Sequence, residues 1–114
     1  MAGTEYPNKN GYQAWVTDLQ LIATEAPSGH KIIRECLDIA EMLIKKNISY
    51  GDSALSPIHI FSQEDNQEQI KIRIDDKINR IKNGSGFAGD NDIDDMIGYL
   101  ILLKIAKKLA ISVD

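Results

Sequence analysis

The segment "IKIRIDDKINRI", residues 70–81, carries a stripe of charged side chains that could do chemistry. At about 100° per residue, Arg73, Asp76, Lys77 and Arg80 share one helix face at i, i+3, i+4 and i+7. Arginine and lysine donate hydrogen bonds without accepting any, and the arginine fork matches a phosphate group. Asp76 can orient the arginines or accept a hydrogen bond from a base or ribose. The stripe therefore fits a phosphorylated ligand. The alternative is an exposed face of ion pairs, each contributing about 0.2–0.5 kcal/mol.

Two pairs of carboxylates with i,i+3 spacing are candidate metal ligands. Glu35 and Asp38 form one pair, and Asp92 and Asp95 form the other. Two such pairs on facing helices can hold Mg²⁺, which prefers carboxylate oxygens and retains waters for phosphate chemistry. The alternative is structural, because aspartate near a helix N-terminus is favoured by the helix dipole and the first pair also fits a solvated face.

The amino-acid composition limits the classes of protein to which this chain can belong. A chain of 114 residues with 43% hydrophobic and 26% charged residues is typical of one soluble globular domain. A net charge of -4 and a pI near 5.1 argue against a protein that coats DNA or RNA. The single cysteine, Cys36, fits a reducing cytoplasm, and its apolar neighbours predict that it is buried. No signal peptide is visible, and the longest apolar run is too short for a bilayer. We expect a cytoplasmic protein without membrane contact.

Hydrophobic periodicity predicts an all-α fold, a small helical bundle of about four main helices. Residues 1–11 are predicted to be a flexible lead-in and residues 12–114 a single all-α domain. The helices are expected at 12–26, 30–46, 70–81 and 92–110, with a short helix at 57–61. The last main helix is apolar nearly all round, so we expect it to be the most buried and to lie at the centre.

Apolar surface in excess of what short helices can cover predicts a homo-oligomer. Ile72 falls on the polar side of its helix, away from the other isoleucines. Small bundles of this kind often complete their core, and their ligand site, across a subunit boundary.

Three segments, "KKNISYGDSAL", "IRIDDKINRI" and "DNDIDDMIGYLILL", lie within roughly residues 40–106. Together they resemble a family of small phage and prophage proteins related to the nucleotide-modification-associated domain family. The resemblance implies a Tyr-Gly-Asp-Ser turn after an apolar helix, an Arg-x-x-Asp-Lys-x-x-Arg helix, and an acidic start to an apolar helix. The ligand-binding residues that it implies are Tyr50, Asp52, Ser53, Arg73, Asp76, Lys77, Arg80 and Tyr99.

More distantly, the helical layout is similar to the all-α nucleoside-triphosphate pyrophosphohydrolases of the MazG type. Those enzymes bind Mg²⁺ with a Glu-x-x-Glu pair and a Glu-x-x-Asp pair, in whose places this chain has the two carboxylate pairs 35/38 and 92/95. The leading expectation is a phage-type protein that binds a phosphorylated or cyclic nucleotide in the host cytoplasm, sequestering a host signalling nucleotide, with no firm cofactor. One alternative is a Mg²⁺-dependent nucleotide pyrophosphohydrolase. The other is a non-enzymatic module whose charged stripe meets a host protein.

Overall fold

The computed structural model describes residues 9–57, 65–84 and 91–111, and these residues form four α-helices. The helices are α1 (Lys9–Ala23), α2 (Gly29–Ser49), α3 (Asn66–Asn83) and α4 (Asp92–Ile111). No strand occurs in these three ranges. The predicted fold class, an all-α bundle of about four main helices, is therefore confirmed for the described residues.

The observed helix boundaries differ from the predicted ones mainly at the ends. Helix α1 begins at Lys9, so the last three residues of the predicted lead-in are helical, and residues 1–8 lie outside the described ranges. Helices α2 and α3 extend beyond the predicted spans at both ends. Pro57 is not helical, and the rest of the predicted short helix lies outside the described residues.

Contacts divide the chain into two compact units, Met1–Asp38 and Ile39–Asp114, with the boundary inside α2. The single domain over residues 12–114 stays a prediction. Within the described ranges, no helix combines the length and the apolar character that a bilayer span needs.

In the first unit, α1 and the start of α2 are joined by a tight turn at Gly29. Ala23, the last residue of α1, is 5% exposed, and Gly29 is buried. A Cβ atom built on Gly29 would collide with the backbone carbonyl oxygen of Ala23. Glycine is therefore required here by close approach of two backbone segments. Cys36, in contrast, is exposed, as is Leu37 beside it, so the predicted burial of this thiol is wrong. Apolar neighbours along a helix do not reveal whether another element covers them.

We expect Gly29→Ala to lower the free energy of unfolding of this unit by about 1–3 kcal/mol, because the backbone must shift to admit a methyl group. Lys31→Ala is the matched control, since Lys31 is an exposed residue of the same helix turn. Urea titration followed by the fluorescence of Trp15, the single tryptophan, measures both variants. Equal midpoints for the two variants would contradict the close-approach argument.

In the second unit, α3 is defined by a cap at each end. Asp65 precedes the helix and its Oδ1 accepts from the Glu68 backbone N–H at 2.8 Å, which satisfies one of the free amides of the first turn. Gly84 ends the helix in the left-handed region at φ 62°, and its N–H donates to the carbonyls of Arg80 and Ile81. These caps explain why α3 is longer than its apolar periodicity predicts.

Helix α4 begins at an asparagine cap and carries an acidic first turn. Asn91 Oδ1 accepts from the Asp94 N–H at 3.1 Å, and Asp92, Asp94 and Asp95 lie where the helix dipole favours negative charge. The carboxylates of Asp92 and Asp95 are thus held at the start of the helix.

Helices α3 and α4 run antiparallel. Ile70, near the start of α3, packs in one buried cluster with Leu102 and Ala106, near the end of α4. Helix α4 also buries Gly98, which makes it the most buried helix among the described residues, as predicted. Its other side is not covered, since Leu100 is 46% exposed, and Ile72 of α3 is 50% exposed. The homo-oligomer stays a prediction.

Candidate functional site

The chain after α2 forms a turn that is fixed by side-chain hydrogen bonds. Gly51 and Asp52 adopt φ of 60° and 62°, the left-handed region that glycine enters without strain and aspartate tolerates. The Asp52 carboxylate accepts from Asn47 Nδ2 at 2.7 Å and from Ser56 Oγ at 3.3 Å. The turn chemistry predicted at residues 50–52 is therefore observed, and it sets the positions of Tyr50 and Ser53.

A lysine–aspartate–lysine cluster in the second unit joins the C-terminal part of α2 to α3 and α4. Asp95, in the first turn of α4, accepts from Lys46 of α2 at 2.9 Å through Oδ1. Its Oδ2 lies 3.1 Å from the ammonium of Lys77 on α3. The Lys77 and Asp95 side chains are only 13% and 17% exposed, whereas that of Lys46 is 46% exposed. Both carboxylate oxygens of Asp95 are therefore engaged by ammonium groups.

Asp92 extends this cluster toward Arg80. Its Oδ1 lies 3.6 Å from Lys77 Nζ and 3.7 Å from Arg80 Nε, and its side chain is 14% exposed. That oxygen is buried and makes no hydrogen bond to any described residue. Oδ1 of Asp92 is therefore held by charge attraction from Lys77 and Arg80 rather than by a well-formed hydrogen bond.

The cluster shifts the pKa of two of its members. Burial raises the pKa of Asp95, but hydrogen bonds from Lys46 and Lys77 outweigh burial, so the net pKa lies below 3.8. The hydrogen bond to Asp95 raises the pKa of Lys46 above 10.5 despite partial burial. The aspartate contribution to stability is present above pH 3.8 and is lost as the pH falls through the lowered pKa. The lysine contribution is present below pH 10.5 and is lost as the pH rises through the raised pKa.

We therefore expect wild type to be more stable than Asp95→Asn by a constant margin near neutral pH. This margin should close as the pH falls below 3.8, because a protonated Asp95 resembles the amide. Urea unfolding of both proteins across the acid range, followed by circular dichroism, measures the margin. A margin that persists unchanged to about pH 2 would contradict the assignment of Asp95 as an ionised partner of two lysines.

A cavity of about 470 Å³ opens beside this cluster, entirely within the second unit. Its wall contains the charged residues Lys46, Arg73, Lys77 and Asp95, with Tyr50 and Tyr99 as aromatic members. No hydrogen bond or ion pair joins the Arg73 guanidinium to any other described residue, and Arg73 is exposed. The remaining lining residues are Leu43, Asn47, Ser53, Ala54, Gln69 and Leu102.

The structure brings five of the eight predicted ligand-binding residues into one cavity wall: Tyr50, Ser53, Arg73, Lys77 and Tyr99. The other three lie elsewhere. Asp52 holds the turn together, Asp76 is an exposed residue of α3, and Arg80 contacts Asp92. The predicted stripe is thus divided between the cavity and the acidic start of α4.

The four predicted metal ligands are divided between the two compact units of the chain. Glu35 and Asp38 are exposed residues of the first unit, and Asp38 pairs with Arg34 at 3.4 Å. Asp92 and Asp95 belong to the second unit, where Lys46 and Lys77 engage the two oxygens of Asp95 and Lys77 and Arg80 lie near Oδ1 of Asp92. Among the described residues, no group of three or more His, Cys, Asp or Glu could hold a metal ion. The Mg²⁺ site at these four residues stays a prediction.

Sequence reasoning did not assign Lys46, Asn47 or Gln69 to the site. Lys46 lies in the last turn of α2, where a basic residue is already explained by the helix dipole. Its partner Asp95 is 49 residues away in the chain, so no local spacing connects them. The acidic start of α4 following the basic end of α3 is the signal that could have predicted the Lys77 contacts.

No family model, no curated protein and no solved structure matches this chain. The function of the cavity must therefore be inferred from its own chemistry.

Proposed function

We propose that this protein binds a phosphorylated nucleotide in the cavity of the second unit. The observation that carries the proposal is that Arg73 lines the cavity and that its guanidinium makes no hydrogen bond or ion pair to any described residue. Lys46 and Lys77 line the same cavity. Arginine beside lysine is an arrangement that recognises phosphate oxygens through charge-assisted hydrogen bonds.

The rest of the wall fits the base and sugar of such a ligand. The rings of Tyr50 and Tyr99 offer surfaces on which a base can stack, and Asn47 and Ser53 offer polar groups. A volume of about 470 Å³ lies within the range of small-molecule sites. Leu43 and Leu102 add apolar surface at the same wall.

We also propose that the protein binds the nucleotide without changing it chemically. The support is that both oxygens of Asp95 are engaged by lysines, so this carboxylate is not available to a metal ion. The resemblance to phage and prophage proteins adds the proposal that the ligand is a host signalling nucleotide, which binding alone would remove from the cytoplasm. A pyrophosphohydrolase would require Asp92 and Asp95 to exchange their cationic partners for Mg²⁺.

Calorimetric titration with mono-, cyclic and triphosphates of the common nucleosides tests this proposal, with Mg²⁺ and with EDTA. Chromatography of the recovered ligand shows whether it has been changed. We expect binding in EDTA and recovery of the intact nucleotide. Products formed in Mg²⁺ would favour the hydrolase instead. If no nucleotide binds, the remaining alternative is the protein-interaction module.

A further inference from the structure

We infer that the ligand is a phosphomonoester, a nucleoside monophosphate carrying two negative charges, rather than a cyclic phosphodiester or a triphosphate. This inference rests on the proposed function and specifies the ligand of the same cavity. It is carried by the charge and the number of hydrogen-bond donors in the cavity wall.

The charge of the wall matches a dianion. Among the described lining residues, Lys46, Arg73 and Lys77 contribute three positive charges and Asp95 one negative charge, which leaves two positive charges in excess. Asp92 lies outside the cavity lining and is faced by Arg80 in addition to Lys77. A phosphomonoester carries a charge of about -1.5 to -2 at neutral pH, whereas a phosphodiester carries one negative charge.

The donors of the wall match three terminal oxygens. Asp95 takes one N–H from Lys46 at 2.9 Å and one from Lys77 at 3.1 Å. An ammonium group has three N–H donors, so both lysines keep donors for a second acceptor, and Arg73 adds its planar fork. A phosphomonoester presents three terminal oxygens to these three cations. A cyclic phosphodiester presents two, so one cation would lose its partner.

Additional phosphates find no further cations among the described residues of the cavity wall. The other charged residue of that lining is Asp95, and the carboxylate of Asp92 lies 3.6 Å from Lys77. In the absence of Mg²⁺, a triphosphate would place its additional charge without compensation among the lining residues. The wall therefore favours one terminal phosphate on a nucleoside.

Calorimetry with matched ligand pairs tests the inference in EDTA. The probes are the 5′-monophosphates of adenosine, guanosine, cytidine and uridine, their 3′,5′-cyclic monophosphates and their 5′-triphosphates. We expect the preferred 5′-monophosphate to bind about tenfold or more tighter than its cyclic form, because one charge-assisted contact is lost. A cyclic form or a triphosphate that binds as tightly as the monophosphate would overturn the inference and leave nucleotide binding intact. If no probe binds, the proposed function fails as well.

Lys46→Gln and Lys45→Gln form a matched pair of variants for the same titrations. Both lysines are exposed neighbours on α2, but Lys45 pairs with Glu41 and does not line the cavity. We expect Lys46→Gln to reduce the preference for the monophosphate over its cyclic form and Lys45→Gln to leave it unchanged. An unchanged preference in Lys46→Gln would overturn the assignment of three cations to three phosphate oxygens.

Discussion

Replacing Lys77 by methionine is expected to lower the free energy of unfolding by about 3 kcal/mol. The Lys77 ammonium lies 3.1 Å from Asp95 and 3.6 Å from Asp92, and all three side chains are less than one-fifth exposed. Its removal leaves two mostly buried carboxylates with less compensating charge. Lys46 and Arg80 remain, so the loss falls at the lower end of what breaking a buried ion pair produces.

Lys71→Met is the matched control on the same helix. Lys71 pairs with Glu68 at 3.3 Å, but both side chains are about half exposed, so this pair is expected to contribute less than about 1 kcal/mol. Adding Asp95→Asn to Lys77→Met should recover part of the loss, because the uncompensated carboxylate is then neutral. Urea unfolding followed by circular dichroism measures all variants. A loss in Lys77→Met no larger than in Lys71→Met would contradict the buried cluster.

The helices could be predicted from the sequence because each depends on local information. The apolar spacing of α3 at Ile70 and Ile74 and the acidic start of α4 are both visible within one or two helical turns. Where the observed boundaries differ, the cause is also local: Asp65 and Gly84 cap α3 outside the apolar run. The prediction of an all-α fold needed no long-range contact.

The candidate site could be predicted only in part because its charges are shared between elements. The helical spacing identified Arg73, Lys77 and Arg80 as one stripe, but spacing does not say which of them another helix neutralises. At the start of α4, Asp92 pairs with Arg80 and Asp95 pairs with Lys77. Arg73 lies about one turn before Lys77 and about two turns before Arg80 in α3, away from these carboxylates. Lys46 reaches the site through its hydrogen bond to Asp95, 49 residues away in the chain, and no local sequence pattern predicts a contact over that separation.

Arg73→Ala is expected to lower the affinity for the preferred nucleotide by about one to two orders of magnitude, since a charge-assisted contact contributes about 1.5–3 kcal/mol. Arg73→Lys should restore part of this affinity, because the charge returns without the two-pronged geometry. The unfolding free energy should change little, since Arg73 is exposed and has no ion pair with a described residue.

Lys71→Ala controls for the charge of α3 in this titration, because the substitution removes one positive charge two residues away from Arg73. Lys71 itself does not line the cavity. Calorimetry of the nucleotide that binds wild type most tightly should show near wild-type affinity for this control. Equal affinities in Arg73→Ala and Lys71→Ala would mean that the stripe is a solvated face and that the ligand binds elsewhere.

Amide chemical-shift mapping in ¹⁵N-labelled wild-type protein tests most directly whether a nucleotide occupies this cavity. A nucleoside 5′-monophosphate is titrated in, and the perturbed backbone amides are assigned to residues. The account predicts that the largest shifts cluster at Tyr50, Ser53, Arg73, Lys77 and Tyr99, which lie on three separate segments and meet only at the cavity wall. Shifts confined to residues outside that wall, or none at saturating nucleotide, would contradict it.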